Sequence, residues 1–231
     1  MKIEFEDPTA SRFQGPLLSP MPVKVVAFDC DGVMFDTREA NTAYYNRVLE
    51  HFGRPAMSPA QIEYTHMHTV GASLSHLFGE DTATLAEAED FRRQMTYEPF
   101  ISRMIIEPGL RDLLERLRGR FRTAVATNRT DTMRRVLDHW GLQDAFDLVV
   151  SAGDVPRPKP HPDMLLHIAS HFEVEPSEMV YIGDSKLDER AARSAGVRFF
   201  AFRNDHLDAE EHLTSLCGVA ALVGDGKDAR S

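Results

Sequence analysis

The stretch VKVVAFDCDGVMFDT, residues 23–37, opens with apolar, mostly β-branched side chains on both parities and then turns abruptly acidic. An apolar run without alternation is the pattern of a short strand covered on both faces, as in a parallel sheet. We therefore place a first strand at 23–29. Runs of the same kind recur at 123–128, 147–151, 179–183 and 198–202, with helix-like segments between them at 111–118, 130–140, 164–171 and 187–195. Strand alternating with helix predicts an α/β fold, a Rossmann-like parallel sheet with right-handed crossovers.

Residues 38–106 break that alternation, with helix signals and no convincing strand. Ser58-Pro59-Ala60-Gln61 has the pattern of a capping box with proline at the first helical position. Tyr44, Tyr45, Val48, Leu49 and Phe52 form a stripe at helical spacing, and Gly53 suits the left-handed position after it. We read 38–106 as a helical insertion after the first strand. Glu107-Pro108-Gly109 is the turn back into a core domain of residues 23–37 and 107–223. Hinges are expected near 36–38 and 106–109. Residues 1–22, rich in proline and polar side chains, read as a loose tail, and GDGKDARS at 224–231 as a frayed end.

Composition narrows the function. The 231 residues are 42% hydrophobic and 27% charged, a globular balance, and suit one domain or one domain with an insertion. Lys and Arg number 26 against 36 Asp and Glu, a net charge of −10 that disfavours nucleic acid as a partner. A phosphate-bearing ligand would need local cations. Cys30 and Cys217 make no disulfide framework or cysteine zinc site. No apolar run reaches roughly 18 residues and the first residues lack a signal-peptide pattern, so no membrane span and a cytoplasmic location are expected.

The chemistry gathers at strand ends. Asp29 and Asp31 share one side of the chain where the first strand stops, and such ends are where open α/β sheets bind ligands. Adjacent carboxylates repel unless a proton or a cation intervenes, and Mg²⁺ prefers oxygen ligands of this kind. A D-x-D triplet alone equally fits a solvated turn. Thr127 and Asn128 end the second strand with groups able to donate to phosphoryl oxygens. Lys159 stands between Pro158 and Pro160, and Asp184 follows the 179–183 strand with Asp188 one helical turn onward.

With these motifs in this order, the sequence resembles the haloacid dehalogenase superfamily of aspartate-nucleophile phosphohydrolases, in its phosphoglycolate phosphatase and beta-phosphoglucomutase-like branch. FDCDGVMFDT, Thr127-Asn128, Lys159 in RPKPHPD and GDSKLDERAA carry the resemblance, which covers residues 24–204, and the helical insertion at 38–106 is similar to that family's small α-helical cap domain. It implies Asp29 as nucleophile, Asp31 as general acid and base, and Mg²⁺ held by the Asp29 carboxylate, the Asp31 main-chain carbonyl and Asp184. It further implies that Thr127 and Asn128 hold phosphoryl oxygens, that Lys159 balances charge, and that Asp188 positions the metal or Lys159. The implied substrate is a small phosphorylated metabolite, phosphoglycolate or sugar phosphate-like. A phosphomutase and a non-catalytic phosphate-binding regulator are the alternatives. The oligomeric state is not legible.

Other residues read more plainly. Arg129 and Arg157 could read a second anionic group but are expected to be solvated or locally paired, and Met34, Phe35, Met95 and Met104 are expected to pack. Arg92 and Arg93 are expected to pair with Glu89 and Asp90. His66 and His68, two apart on a helix, should point away from each other and share no metal. His161 is expected to begin a helix.

Overall fold

The computed structural model describes residues 22–224, so the tail expected at 1–22 and the frayed end expected at 224–231 lie outside it but for Pro22 and Gly224. The chain runs through β1 (Val25–Phe28) and a two-residue β2 (Phe35–Asp36) into helices α1 (Arg38–His51), α2 (Pro59–Met67), α3 (Val70–Phe78), α4 (Thr82–Gln94) and α5 (Glu98–Ile101). It returns through β3 (Ile105–Ile106), which pairs antiparallel with β2, and continues with α6 (Leu110–Leu117), β4 (Arg122–Thr127), α7 (Met133–His139) and β5 (Leu148–Ser151). There follow α8 (Asp163–Phe172), β6 (Met179–Gly183), α9 (Lys186–Ala195), β7 (Arg198–Phe202), β8 (Glu211–Leu213) and α10 (Val219–Leu222).

Among the described residues the main sheet has six strands in the order β5-β4-β1-β6-β7-β8, every neighbouring pair parallel. This is an α/β, Rossmann-like fold. The double-sided burial read from the sequence has a direct counterpart, because alternate residues of β1 enter different cores. Val26 and Phe28 join Val125, Ile182 and Phe200 on one face. Val25 and Ala27 join Ala124, Tyr181 and Phe199 on the other. Helices α8 and α9 cover the second face. The first is covered by α6, whose Leu110, Leu113, Leu114 and Leu117 at helical spacing are all buried.

The helical segment follows the expected signals. Ser58 and Gln61 close the capping box of α2, and Gly53 takes a positive φ of 65° after α1. Met34 and Phe35 pack with no exposure, and Met104 is buried. Three short strands, β2, β3 and β8, escaped the sequence reading. β3 lies inside the segment read as strandless, and two residues are too few to show a period. β8, three residues at the sheet edge, is missed for the same reason. The helix expected at 130–140 begins only at Met133, and the one expected from His161 begins at Asp163. No helix among the described residues is long and apolar enough to cross a membrane.

Phe28 sits in the central strand, fully buried and edge-on to Phe146 at 6.0 Å. Its replacement by alanine removes most of a ring and leaves a cavity between β1 and the covering helices. Phe28→Ala is expected to lower the unfolding free energy by about 3–5 kcal/mol in urea titration.

Candidate active site

The parallel register brings three loops to one edge. Phe28 lies opposite Val125 in β4 and Ile182 in β6, so the residues after these strands leave the sheet side by side. Asp29, Asp31, Asn128, Lys159 and Asp184 line one cavity, together with Asn41, Tyr44, His66, Arg92 and Tyr97 from the helical segment. Thr127 is fully buried beneath this lining and does not itself reach it. The Asn128 side chain clamps the lysine loop: its Oδ1 accepts from the Lys159 main-chain N–H (3.0 Å), and its Nδ2 donates to the Lys159 carbonyl (3.1 Å) and the Met67 carbonyl (3.3 Å). Its amide donors are thus taken up by the protein, and the Arg129 main-chain N–H of the same loop donates to Thr127 Oγ1 at 3.2 Å.

Lys159 is the centre of the site. Its buried ammonium lies 2.8 Å from Asp29 Oδ1, 2.7 Å from Asp188 Oδ1 and 2.9 Å from Tyr181 Oη, one partner for each proton. Burial disfavours that charge, but Asp188 and Asp29 outweigh it and hold the ammonium protonated. Asp29 Oδ1 also accepts from the Cys30 N–H at 2.7 Å. No hydrogen bond from the described residues reaches Asp29 Oδ2. Burial pushes the Asp29 carboxyl up, Lys159 draws it back and Asp188 and Asp31 push it further, to about 7. Asp188 has no exposure; its Oδ2 takes the Ser185 N–H (3.0 Å) and hydroxyl (2.5 Å), capping α9 while Oδ1 holds Lys159. With its oxygens so occupied, it positions the lysine more readily than it meets an ion.

Asp31 corrects one expectation. Arg129 is not solvated or locally paired; it is buried and grips a carboxylate 98 residues away. Its Nη2 lies 2.7 Å from Asp31 Oδ1 and its Nε 2.8 Å from Oδ2. Thr37, at the N-cap of α1, gives its hydroxyl to Asp31 Oδ1 (2.5 Å) instead of capping the helix, and Asn41 one turn on adds a contact at 3.2 Å. Burial works against charge on Asp31, yet Arg129 outweighs it and draws the carboxyl down to about 2. By contrast Arg157 pairs locally with Asp163, as expected.

The donor set suits a divalent cation. Oxygens of Asp29, Asp184 and Asp188 lie within 4.8 Å of one another. The Asp184 carboxylate accepts no hydrogen bond from the described residues, and burial with Asp188 and Asp29 pushes it well above the usual carboxylate range. Asp29, Asp31, Asp184 and Asp188 face the cations Lys159 and Arg129, an excess of two negative charges. A hard dication with oxygen ligands neutralises that excess.

Comparison with known proteins agrees with this geometry. Residues 26–202 match the family model described as haloacid dehalogenase-like hydrolase. The chain belongs to the haloacid dehalogenase-like hydrolase family. It is an enzyme, a phosphohydrolase of that type. Among its relatives, a phosphoglycolate phosphatase of Nitrosospira multiformis is 32% identical over 189 residues, 78% of this chain and 83% of that one. A phosphorylated carbohydrates phosphatase of Thermotoga maritima is 30% identical over 215 residues, 87% and 94% of the two chains. A crystal structure of a haloacid dehalogenase-superfamily hydrolase, subfamily IA, from Geobacter sulfurreducens superimposes with a TM-score of 0.72 at 36% identity, covering 87% of this chain and 97% of that one.

Several lining residues of this phosphohydrolase escaped the sequence reading. His66 and His68 both line the cavity, because α2 ends at Met67 and the helical angle between them no longer applies. Arg92 pairs with Glu89 as expected, but also crosses to Asp131 at 3.0 Å. Tyr181 was a legible anomaly, a hydroxyl in an otherwise apolar run.

Gly32 packs against the Asp184 carboxylate, and a Cβ there would lie 2.0 Å from Asp184 Oδ2 on a backbone with φ 81°. Both strain and displacement of Asp184 follow from a methyl group. Gly32→Ala is expected to lower kcat/KM at least about tenfold in a phosphate-release assay, with far-UV circular dichroism unchanged.

Proposed function

We propose that this enzyme is a Mg²⁺-dependent phosphatase that hydrolyses a small phosphorylated metabolite, phosphoglycolate-like or sugar phosphate-like, through an aspartyl-phosphate on Asp29. The observation that carries this reading is the asymmetric hold on Asp29: Oδ1 is fixed by Lys159 and Cys30 while Oδ2 is left without a donor among the described residues. Oδ2 attacks phosphorus as the ester P–O bond breaks, and Asp31 supplies a proton to the departing oxygen. Asp31 then takes a proton from water, which attacks the aspartyl-phosphate and restores the carboxylate. Lys159 balances charge on Asp29 throughout. Thr127 and Asn128 at the end of β4 would hold phosphoryl oxygens, Asn128 through its main-chain N–H since its side chain is bound to the lysine loop. Asp29, Asp184 and the Asp31 carbonyl would hold Mg²⁺, which when bound neutralises charge on the phosphoryl group.

We also propose that residues 38–106 act as a cap domain over the core formed by 23–37 and 107–223, moving at 36–38 and 106–109. The β2–β3 ribbon spans both strands of that connection. Glu107 beside it is buried and pinned by Arg203, at 2.8 and 2.5 Å. Closure would exclude bulk water from the intermediate. Two free thiols, Cys30 buried and Cys217 exposed, support a reducing, cytosolic setting.

Phosphate release from p-nitrophenyl phosphate with Mg²⁺ tests the reading. Asp29→Asn is expected to reduce it at least about a thousandfold; absence of turnover by the unaltered enzyme, or an active Asp29→Asn variant, would refute it.

A pH dependence follows from the carboxyl of Asp29, which stands at about 7 in the fold against an ordinary 3.8. Because its pKa is raised, Asp29 contributes stability that is full below 3.8 and lost as pH rises through about 7. Mg²⁺ competes with that proton. The rise in melting temperature on adding Mg²⁺ is therefore expected to be larger at pH 8 than at pH 5.5 in differential scanning fluorimetry, and an equal rise at both would contradict the assignment.

A further inference from the structure

Arg129 presents two edges to different partners. Its Nη1 is anchored by Tyr97 Oη at 2.6 Å and Thr132 Oγ1 at 3.1 Å. Its other edge, Nε and Nη2, carries two parallel donors and holds the Asp31 carboxylate. In that arrangement both Asp31 oxygens are occupied, Oδ2 by Arg129 and Oδ1 by Arg129, Thr37 and Asn41. A carboxylate gripped on both oxygens by a guanidinium keeps its charge and has no proton to give a leaving group, so turnover requires the Nε–Nη2 edge to change partner.

Physical chemistry restricts what the new partner can be. The guanidinium is buried, and a buried cation stripped of its carboxylate without replacement is strongly disfavoured. A neutral leaving group offers nothing in exchange. A carboxylate on the substrate replaces Asp31 like for like, on the same two donors, while Tyr97 and Thr132 keep Arg129 in place. Asp31 lines the same cavity as Asp29, two residues away, so a carboxylate that takes its place on Arg129 lies close to the phosphoryl group, which favours a short acid.

We propose that Arg129 is the specificity-determining residue of this enzyme: it passes from Asp31 to a carboxylate on the substrate, selecting short phosphoesters that carry one and freeing Asp31 for the leaving-group oxygen. This rests on the phosphatase reading above and narrows its substrate class.

The test compares 2-phosphoglycolate with 2-hydroxyethyl phosphate, which has the same chain length and a hydroxymethyl in place of the carboxylate. With Mg²⁺ the unaltered enzyme is expected to favour the acid in kcat/KM by about 100-fold, since a site built around a polar partner discriminates strongly against an analogue without it. In Arg129→Gln that ratio is expected to fall to within about threefold of unity, and in Arg129→Lys, which keeps the charge but not the paired donors, to an intermediate value. The ratio is read on whatever activity each variant retains. Dissociation constants for the same two ligands, measured by calorimetry on Asp29→Asn with and without Arg129→Gln, give the discrimination without turnover. Rates that fall in parallel with the ratio intact would overturn the proposal and leave Arg129 as a support for Asp31. Equal use of both esters by the unaltered enzyme, or release of phosphate from neither while p-nitrophenyl phosphate is turned over, would overturn it and leave the phosphatase reading standing; release from none of the three would overturn both.

Discussion

Four carboxylates share one buried pocket with two cations, and the rest of the molecule is organised around that imbalance. Lys159 spends its three protons on Asp29, Asp188 and Tyr181, and Arg129 spends an edge on Asp31. The remainder of the negative charge falls on Asp29 and Asp184, whose carboxyls are both pushed upward. A buried charge of this sort is tolerated only with a counter-ion or a proton. The chain as a whole carries −10, so no diffuse positive field helps an anionic substrate to enter. Binding of the proposed phosphate and dication would therefore be linked to the binding of protons in this pocket.

The sheet order is what makes the pocket possible. β1 lies between β4 and β6, so the chain segments bearing Asp29, Asn128 and Asp184 leave adjacent strands at one level, although they are some hundred and fifty residues apart at the extremes. Lys159 belongs to none of those strands. It comes from the loop between β5 and α8, and Asn128 binds its main chain in both directions to hold it there. Asp188 serves the same end from α9: one carboxylate caps the helix and fixes the lysine, so helix stability and site geometry depend on one side chain.

Much of this was legible from residue pattern alone, and the reason is local. An apolar run on both parities marks a buried strand, and an acidic residue where it stops marks the sheet edge, which is how Asp29 and Asp184 are legible; Lys159 is marked instead by the prolines on either side of it. Arg129 carries no such mark. Exposed arginine is the usual case, and the contact that buries this one is made 98 residues away with no periodic trace in between. Arg92 shows the same limit more gently, since its pairing with Glu89 lies within one helix and was legible, whereas its reach to Asp131 depends on how the helical segment sits against the sheet. The β2–β3 ribbon was missed because four residues carry no period, yet it ties the helical segment to the sheet.

Arg129 links these observations, because its two edges belong to different halves of the molecule. Tyr97, which anchors Nη1, lies in the helical segment; Asp31, on the other edge, follows the central strand. Arg92 and Asp131 make a second bridge across the same boundary. Withdrawal of the helical segment would take Tyr97 from Nη1 and leave Asp31 as the chief partner of a cation that must keep one. The grip on Asp31 would then tighten. With the segment in place, Tyr97 and Thr132 both hold Nη1 while Nε and Nη2 exchange partners. If the segment moves as the proposed cap, release of Asp31 would demand two conditions at once, the Tyr97 anchor and an anion to take the vacated edge.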